Sequence, residues 1–185
     1  MRLFYAIFFD KKIIETLVQN QEYIKNYGIN GRFVRRNKLH LTLKFLGETE
    51  EKNLLQIKNS VNPSEINPFK IKLSDLGVFP PKGRPRVIWQ GLEGETEKDA
   101  EEMLKLKNLL EENLEDLGFE KEKRKFKPHI TLVRDPKNLN KNDLDNILLK
   151  KMTTNVTSFS LMSSKLTKSG PIYDELCRYD LNTKY

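Results

Sequence analysis

Lys38-Leu39-His40-Leu41-Thr42-Leu43-Lys44-Phe45-Leu46, halted at Gly47, reads as a β-strand, and its central phrase is used twice: His40-Leu41-Thr42-Leu43 recurs as His129-Ile130-Thr131-Leu132. His40 and His129 are the only two histidines in the chain, and each is followed by an aliphatic residue, a threonine and a leucine. The second copy is entered through Pro128 and runs to Val133. On a strand, side chains two apart share a face and adjacent ones oppose each other. His40 and Thr42 are therefore expected side by side, with Leu41 and Leu43 anchoring the strand in a core behind them. His129 and Thr131 repeat this over Ile130 and Leu132. The same parity sets Lys44 beside His40 and Thr42. It sets Arg134 opposite His129 unless the strand ends or bulges first.

The chemistry follows from the residue types. An unperturbed imidazole titrates near pH ~6.5, so one of a pair can be neutral while the other is protonated. One group can then remove a proton as the other donates one. Threonine hydroxyls can donate hydrogen bonds to a negatively charged oxygen between them. Two histidines and two threonines around one pocket would suit a phosphodiester.

Outward from these phrases, Arg2 to Phe9 is expected as a strand. Asp10 is the candidate N-cap of a helix that carries Ile13, Ile14, Leu17, Val18 and Ile24 and stops at Gly28. Gly31 to Val34 is a short extended piece, and Arg35, Arg36 and Lys38 lead into the first phrase. A second helix is expected from about Glu50 to Ser60, with Leu54, Leu55 and Ile57 facing inward. Phe69 to Leu73 alternates as a half-exposed strand and continues towards Phe79. Pro80 to Arg86 is a loop, and Arg86 to Gly91 is the next strand. Thr96 with Asp99 resembles a capping box. It opens a helix with an apolar stripe of Ala100, Met103, Leu106, Leu110, Leu114 and Leu117, closed by Gly118. The basic run Lys121 to Lys127, with Phe126 inserted, leads to the second phrase and is expected to line the cleft mouth. A short helix near Asp143 to Lys150 follows. Two strands, Asn155 to Leu166 and Ile172 to Leu181, finish the chain around a turn at Lys168-Ser169-Gly170-Pro171. Strand, helix, basic approach and motif strand thus occur in the same order in each half, which reads as a loose internal duplication.

In these residues the chain resembles the two-histidine phosphoesterase superfamily, and within it the RNA 2',3'-cyclic phosphodiesterases, first named 2'-5' RNA ligases. The resemblance spans Met1 to Ile7, Leu39 to Gly47, Leu76-Gly77-Val78-Phe79-Pro80, Phe126 to Arg134, Ser164 to Thr167 and Gly170 to Tyr173. It implies an α+β fold: one domain over residues 1–185, with two pseudo-symmetric lobes of mostly antiparallel sheet backed by helices and both phrases meeting in a central cleft. It also implies opening of RNA 2',3'-cyclic phosphates to 2'-phosphates, with His40 as proton donor, His129 as proton acceptor, and Thr42 and Thr131 holding phosphate oxygens. Reversible 2'-5' ligation would use the same site. Arg134, Lys44, Tyr173, Phe45 and Phe126 are the candidate substrate contacts, with Phe79 a further candidate for stacking on a base.

Composition bounds the rest. Charged residues make up 32% of the chain, with a net charge of +7 and a pI near 9.3, a balance that favours polyanionic partners such as RNA, tRNA fragments among them. There is no phosphate-cradling glycine loop and no dinucleotide fingerprint, which argues against ATP-driven ligation. Two histidines and the lone Cys177 cannot build a zinc site or an internal disulfide, so metal-independent chemistry without a cofactor is expected. The apolar run Leu3 to Phe9 is too short to span a membrane, and no targeting signal is read, so a cytoplasmic monomer is the expectation. Two other functions fit the same residues: a non-catalytic module that binds RNA ends, and a phosphodiesterase for small cyclic nucleotides or ADP-ribose cyclic phosphate.

Overall fold

Arg2–Phe8 forms the first strand (β1) of the computed structural model, which describes residues 1–168 and 170–182. The five central residues of β1 are all buried, as a continuous apolar run predicts for a strand covered on both faces. Asp10 caps the next helix (α1, Lys11–Asn26) by accepting the Ile13 backbone N–H at 3.0 Å, which satisfies a donor that the helix start leaves open. The chain leaves α1 through Gly28 at φ +97°, a left-handed conformation open to glycine.

A short strand (β2, Asn30–Phe33) and a 3-10 turn at Arg36–Lys38 deliver the chain to the first motif strand (β3, His40–Glu48). That turn starts β3 two residues later than expected. The second helix is shorter than expected: a 3-10 turn at Glu51–Asn53 followed by α2 (Leu54–Asn59). One and a half turns can present only one row to the core, so Ile57 is buried while Leu55 is 70% exposed, against expectation.

Next come β4 (Phe69–Phe79), β5 (Val87–Gly94) and α3 (Glu97–Glu115), the last opened by the Thr96–Asp99 capping box. Met103, Leu106, Leu110 and Leu114 are buried along α3 as predicted, but so are Lys107 and Glu111. The second motif strand (β6, His129–Lys137) is followed by a 3-10 segment, Lys141–Asn146, where a helix to Lys150 was expected. The expected strand Asn155 to Leu166 is in fact two, β7 (Thr153–Val156) and β8 (Ser158–Thr167), before β9 (Gly170–Asp180). They separate because β7 pairs with β4 and β8 with β1, so the chain changes partners at Thr157. Ser169 of the expected turn lies outside the described residues.

All the described strands belong to one antiparallel sheet in the order β7-β4-β5-β6-β3-β1-β8-β9, with β2 on β6. The two motif strands are central and pair at Leu41 and Ile130. Along that path β7-β4-β5 lie beyond β6 and β1-β8-β9 beyond β3, with β2 off the path on β6, and the order β1-α1-β3 is echoed by β5-α3-β6. The two long helices each reach the other half: α1 packs on β6, and α3 packs on β3 as well as on β4 and β5. The expected two-part antiparallel α+β architecture is therefore present.

Both motif strands carry a β-bulge at the same place. Ala6 pairs with Thr42 and Tyr5 with Lys44, leaving Leu43 as the extra residue; Trp89 pairs with Thr131 and Ile88 with Val133, leaving Leu132 extra. Two successive side chains, Leu43 with Lys44 and Leu132 with Val133, are consequently buried. An extra residue inverts the side-chain parity downstream, so Phe45 and Arg134 emerge on the face that carries the histidines and threonines.

Candidate active site

Continuing the antiparallel register from Leu41 and Ile130 sets His40 opposite Thr131 and Thr42 opposite His129. Opposed residues on neighbouring strands point to one face. The four side chains therefore share one face, each half-buried, over a floor of fully buried Leu41 and Ile130.

The two imidazoles are held alike. His40 Nδ1 lies 2.8 Å from the Lys38 carbonyl oxygen, and His129 Nδ1 lies 2.6 Å from the Lys127 carbonyl oxygen. A carbonyl can only accept, so each Nδ1 carries its proton and each Nε2 is left for chemistry. Burial pushes the His40 imidazole down to about 4, opposed by its bond to Lys38 and assisted by the charges of Arg134 and His129. Burial also lowers His129, opposed by its bond to the Lys127 carbonyl and assisted by the charges of Lys127 and Arg134. Arg134 and the two rings thus act on one another across the same face, and both shifts favour the neutral imidazole in the free protein.

Each histidine has its own aromatic wall. Phe8 stacks on His40 at 5.2 Å between centroids, Phe4 lies at 5.3 Å, and Tyr173 meets the ring edge-on at 5.5 Å. Phe79 lies edge-on to His129 at 5.0 Å and Trp89 at 5.9 Å. Burial raises the Tyr173 phenol above its ordinary value while Arg134 opposes the shift, so its hydroxyl keeps its proton and can donate. Lys127 Nζ sits 4.3 Å from the Trp89 ring centroid, close enough for a cation–π contact.

Of the candidate substrate contacts, Arg134, Tyr173 and Phe45 reach this face. Arg134 does so through the bulge at Leu132, and Phe45, 70% exposed, stands 6.0 Å from Phe4. Phe79 also reaches it. Lys44 and Phe126 do not. The bulge at Leu43 turns Lys44 to the helix side, where its side chain is 3% exposed and paired with Glu111. Phe126 packs on the main core, 5.7 Å from Lys107 Nζ. Reading the residues alone missed Phe4, Phe8 and Trp89, while Lys127 belongs to the basic run expected at the cleft mouth. Phe4 and Phe8 are one parity of β1, a signal hidden because both parities of that strand are apolar. Trp89 could have been found from its pairing with Thr131, which only the sheet supplies.

Among the described residues no group of three or more His, Cys, Asp or Glu side chains is gathered to hold a metal ion, and no helix is long and apolar enough to cross a membrane.

Comparison with known proteins shows the family and the fold. The family described as LigT like Phosphoesterase matches residues 7–89 and 95–173. The RNA 2',3'-cyclic phosphodiesterase of Archaeoglobus fulgidus is 36% identical over 183 residues, covering 95% of this chain and 98% of its own. The crystal structure of TT0787 of Thermus thermophilus covers all of both chains at 30% identity with a TM-score of 0.76. That of Escherichia coli LigT complexed with 3'-AMP covers 98% of each chain at 27% identity with a TM-score of 0.75.

Proposed function

The chain belongs to the LigT-like phosphoesterase family, and from that premise we propose that it is a single bilobal domain that hydrolyses RNA 2',3'-cyclic phosphate ends to 2'-phosphates. The observation that carries this reading is the pair of imidazoles held alike through Nδ1 on two paired strands, each leaving Nε2 for chemistry on the face that the register gives to both threonines.

Neutral His129 takes a proton from water as the water oxygen bonds to phosphorus. Protonated His40 gives its proton to the departing 3' oxygen as the P–O3' bond breaks. Thr42 and Thr131 donate to the non-bridging oxygens as charge builds on them, and Arg134 supplies the balancing positive charge. Phe45 and Tyr173 offer surfaces for the terminal base or ribose. With an RNA 5'-hydroxyl in place of water as the attacking group, the same groups form a 2'-5' linkage as the P–O3' bond breaks, and the reverse step returns the cyclic phosphate and the 5'-hydroxyl. The net charge of +7 supports RNA ends, tRNA fragments among them, as substrate, and the protein acts as a monomer.

His40 must acquire its proton against a folded-state value of about 4. The anionic phosphodiester supports this, because a negative charge beside an imidazole favours its charged form. For a pair that works with one ring protonated and one neutral, kcat/KM reports the free enzyme and peaks between the two values. Both rings are lowered from 6.5, so the kcat/KM profile should be bell-shaped and centred on the acid side of 6.5. The kcat profile should lie at higher pH, since bound substrate raises both values. A kcat/KM optimum at pH ~7.5 or above would contradict this.

The identifying experiment is incubation of the protein, in EDTA, with an oligoribonucleotide ending in a 2',3'-cyclic phosphate. A 2'-phosphate product is expected. A 3'-phosphate would reverse which oxygen departs, and binding without turnover would reduce the protein to an RNA-end-binding module.

A further inference from the structure

We propose that Gln21, on α1, is a positioning residue for Arg134 and acts through the backbone bulge at Leu132. The inference rests on the reading that Arg134 contacts the phosphate.

Gln21 is 5% exposed, and its Nε2 donates to the Leu132 carbonyl oxygen and to the Val34 carbonyl oxygen, both at 2.9 Å. The Val34 N–H donates to the same Leu132 oxygen at 2.9 Å. Leu132 is the extra residue of the bulge against β5, and its carbonyl lies on the opposite edge of β6, where Val34 continues the β2 pairing and Gln21 adds a second donor. Here two donors occupy both of its lone pairs. That fixes the peptide plane from which Val133 turns into the core and Arg134 onto the active face. The position matters because Arg134 acts on His40, His129 and Tyr173 together. Helix α1 belongs to the half that carries His40. Gln21 therefore ties the orientation of a residue in one half to the frame of the other. In the first motif the equivalent position is Phe45, and the equivalent tie runs from Glu111 on α3 to the Lys44 side chain rather than to a carbonyl.

The test is a double-mutant cycle with Gln21→Met and Arg134→Ala, reading kcat/KM on cyclic-phosphate RNA and melting temperature in parallel. Arg134→Ala should lower kcat/KM by about 10²-fold. Gln21→Met should lower it about 10-fold when Arg134 is present and less than about 2-fold in the Arg134→Ala background, while lowering the melting temperature equally in both. Ile24→Ala, which removes buried volume from the same helix without touching the bulge, should lower the melting temperature with no Arg134-dependent loss. An equal loss of activity from Gln21→Met in both backgrounds overturns the proposal, as does the same Arg134-dependent loss from Ile24→Ala. An Arg134→Ala enzyme of unchanged kcat/KM overturns the role given to Arg134 and this proposal with it.

Discussion

Replacing either His40 or His129 with alanine should lower kcat for opening a 2',3'-cyclic phosphate by about 10²–10⁴-fold, in a protein that still folds. The strands keep their place without the rings. Leu41, Leu43, Ile130 and Leu132 are buried behind them, and each ring's hydrogen bond to the backbone spans only two residues. Because acid and base serve one step, the double variant should be little worse than either single one, as for other groups that act as a unit. Near-normal hydrolysis by either variant would refute the mechanism. A second reading of the same proteins checks the state of His40. With a folded value of about 4 against an ordinary 6.5, the unfolded chain binds the extra proton between those limits. Stability should therefore fall as pH drops from 6.5 towards 4, by linkage. His40→Ala removes that contribution, so its melting temperature relative to the parent should improve as the solution is acidified.

How much of this was legible beforehand depends on the kind of interaction. The motif phrases, the Asp10 and Thr96 caps and the strand–helix–strand order are local patterns, and each is present. The bulges are not local. In the second motif, Leu132-Val133 gives two apolar residues in succession before Arg134, a visible break in alternation. In the first, the corresponding residue is Lys44, which by composition reads as solvent-facing. Its partner Glu111 lies on a different element and, with Lys107, looks like an ordinary i,i+4 surface pair on a helix. Only the crossing of α3 over β3 turns that pair inward. The split between β7 and β8 was hidden for the same reason: a continuous strand-like stretch carries no mark of a change of partners at Thr157.

The buried charges behind the first motif yield the second large expectation. Glu111→Leu should destabilise the fold by about 3–5 kcal/mol, seen as a fall in melting temperature of roughly 6–20 °C at pH 7. Glu111 accepts from both Lys44 and Lys107 and from the Glu122 backbone N–H at 3.2 Å, while Lys44 also donates to the Glu120 carbonyl oxygen at 2.9 Å. The lysine side chains are 3% and 8% exposed, so removing the one carboxylate leaves two cations facing each other away from water. Burial, then the Lys44 charge, already pushes Lys107 down to about 8 from 10.5. Across that window the unfolded chain holds the extra proton, so this group makes stability rise with pH from about 8 towards 10.5, and the full cost of its charge is carried below. The deficit of Glu111→Leu should accordingly be largest at neutral and acid pH and should narrow as the solution approaches pH ~10. Replacing all three charges together, Lys44→Met, Lys107→Met and Glu111→Leu, should recover most of the loss, because an apolar trio avoids the desolvation that the ion cluster only partly offsets. If Glu111→Leu melted within ~1 °C of the parent at pH 7, the cluster would have to be hydrated and already neutralised by other groups, and the tie between α3 and the first motif strand would contribute little to the fold.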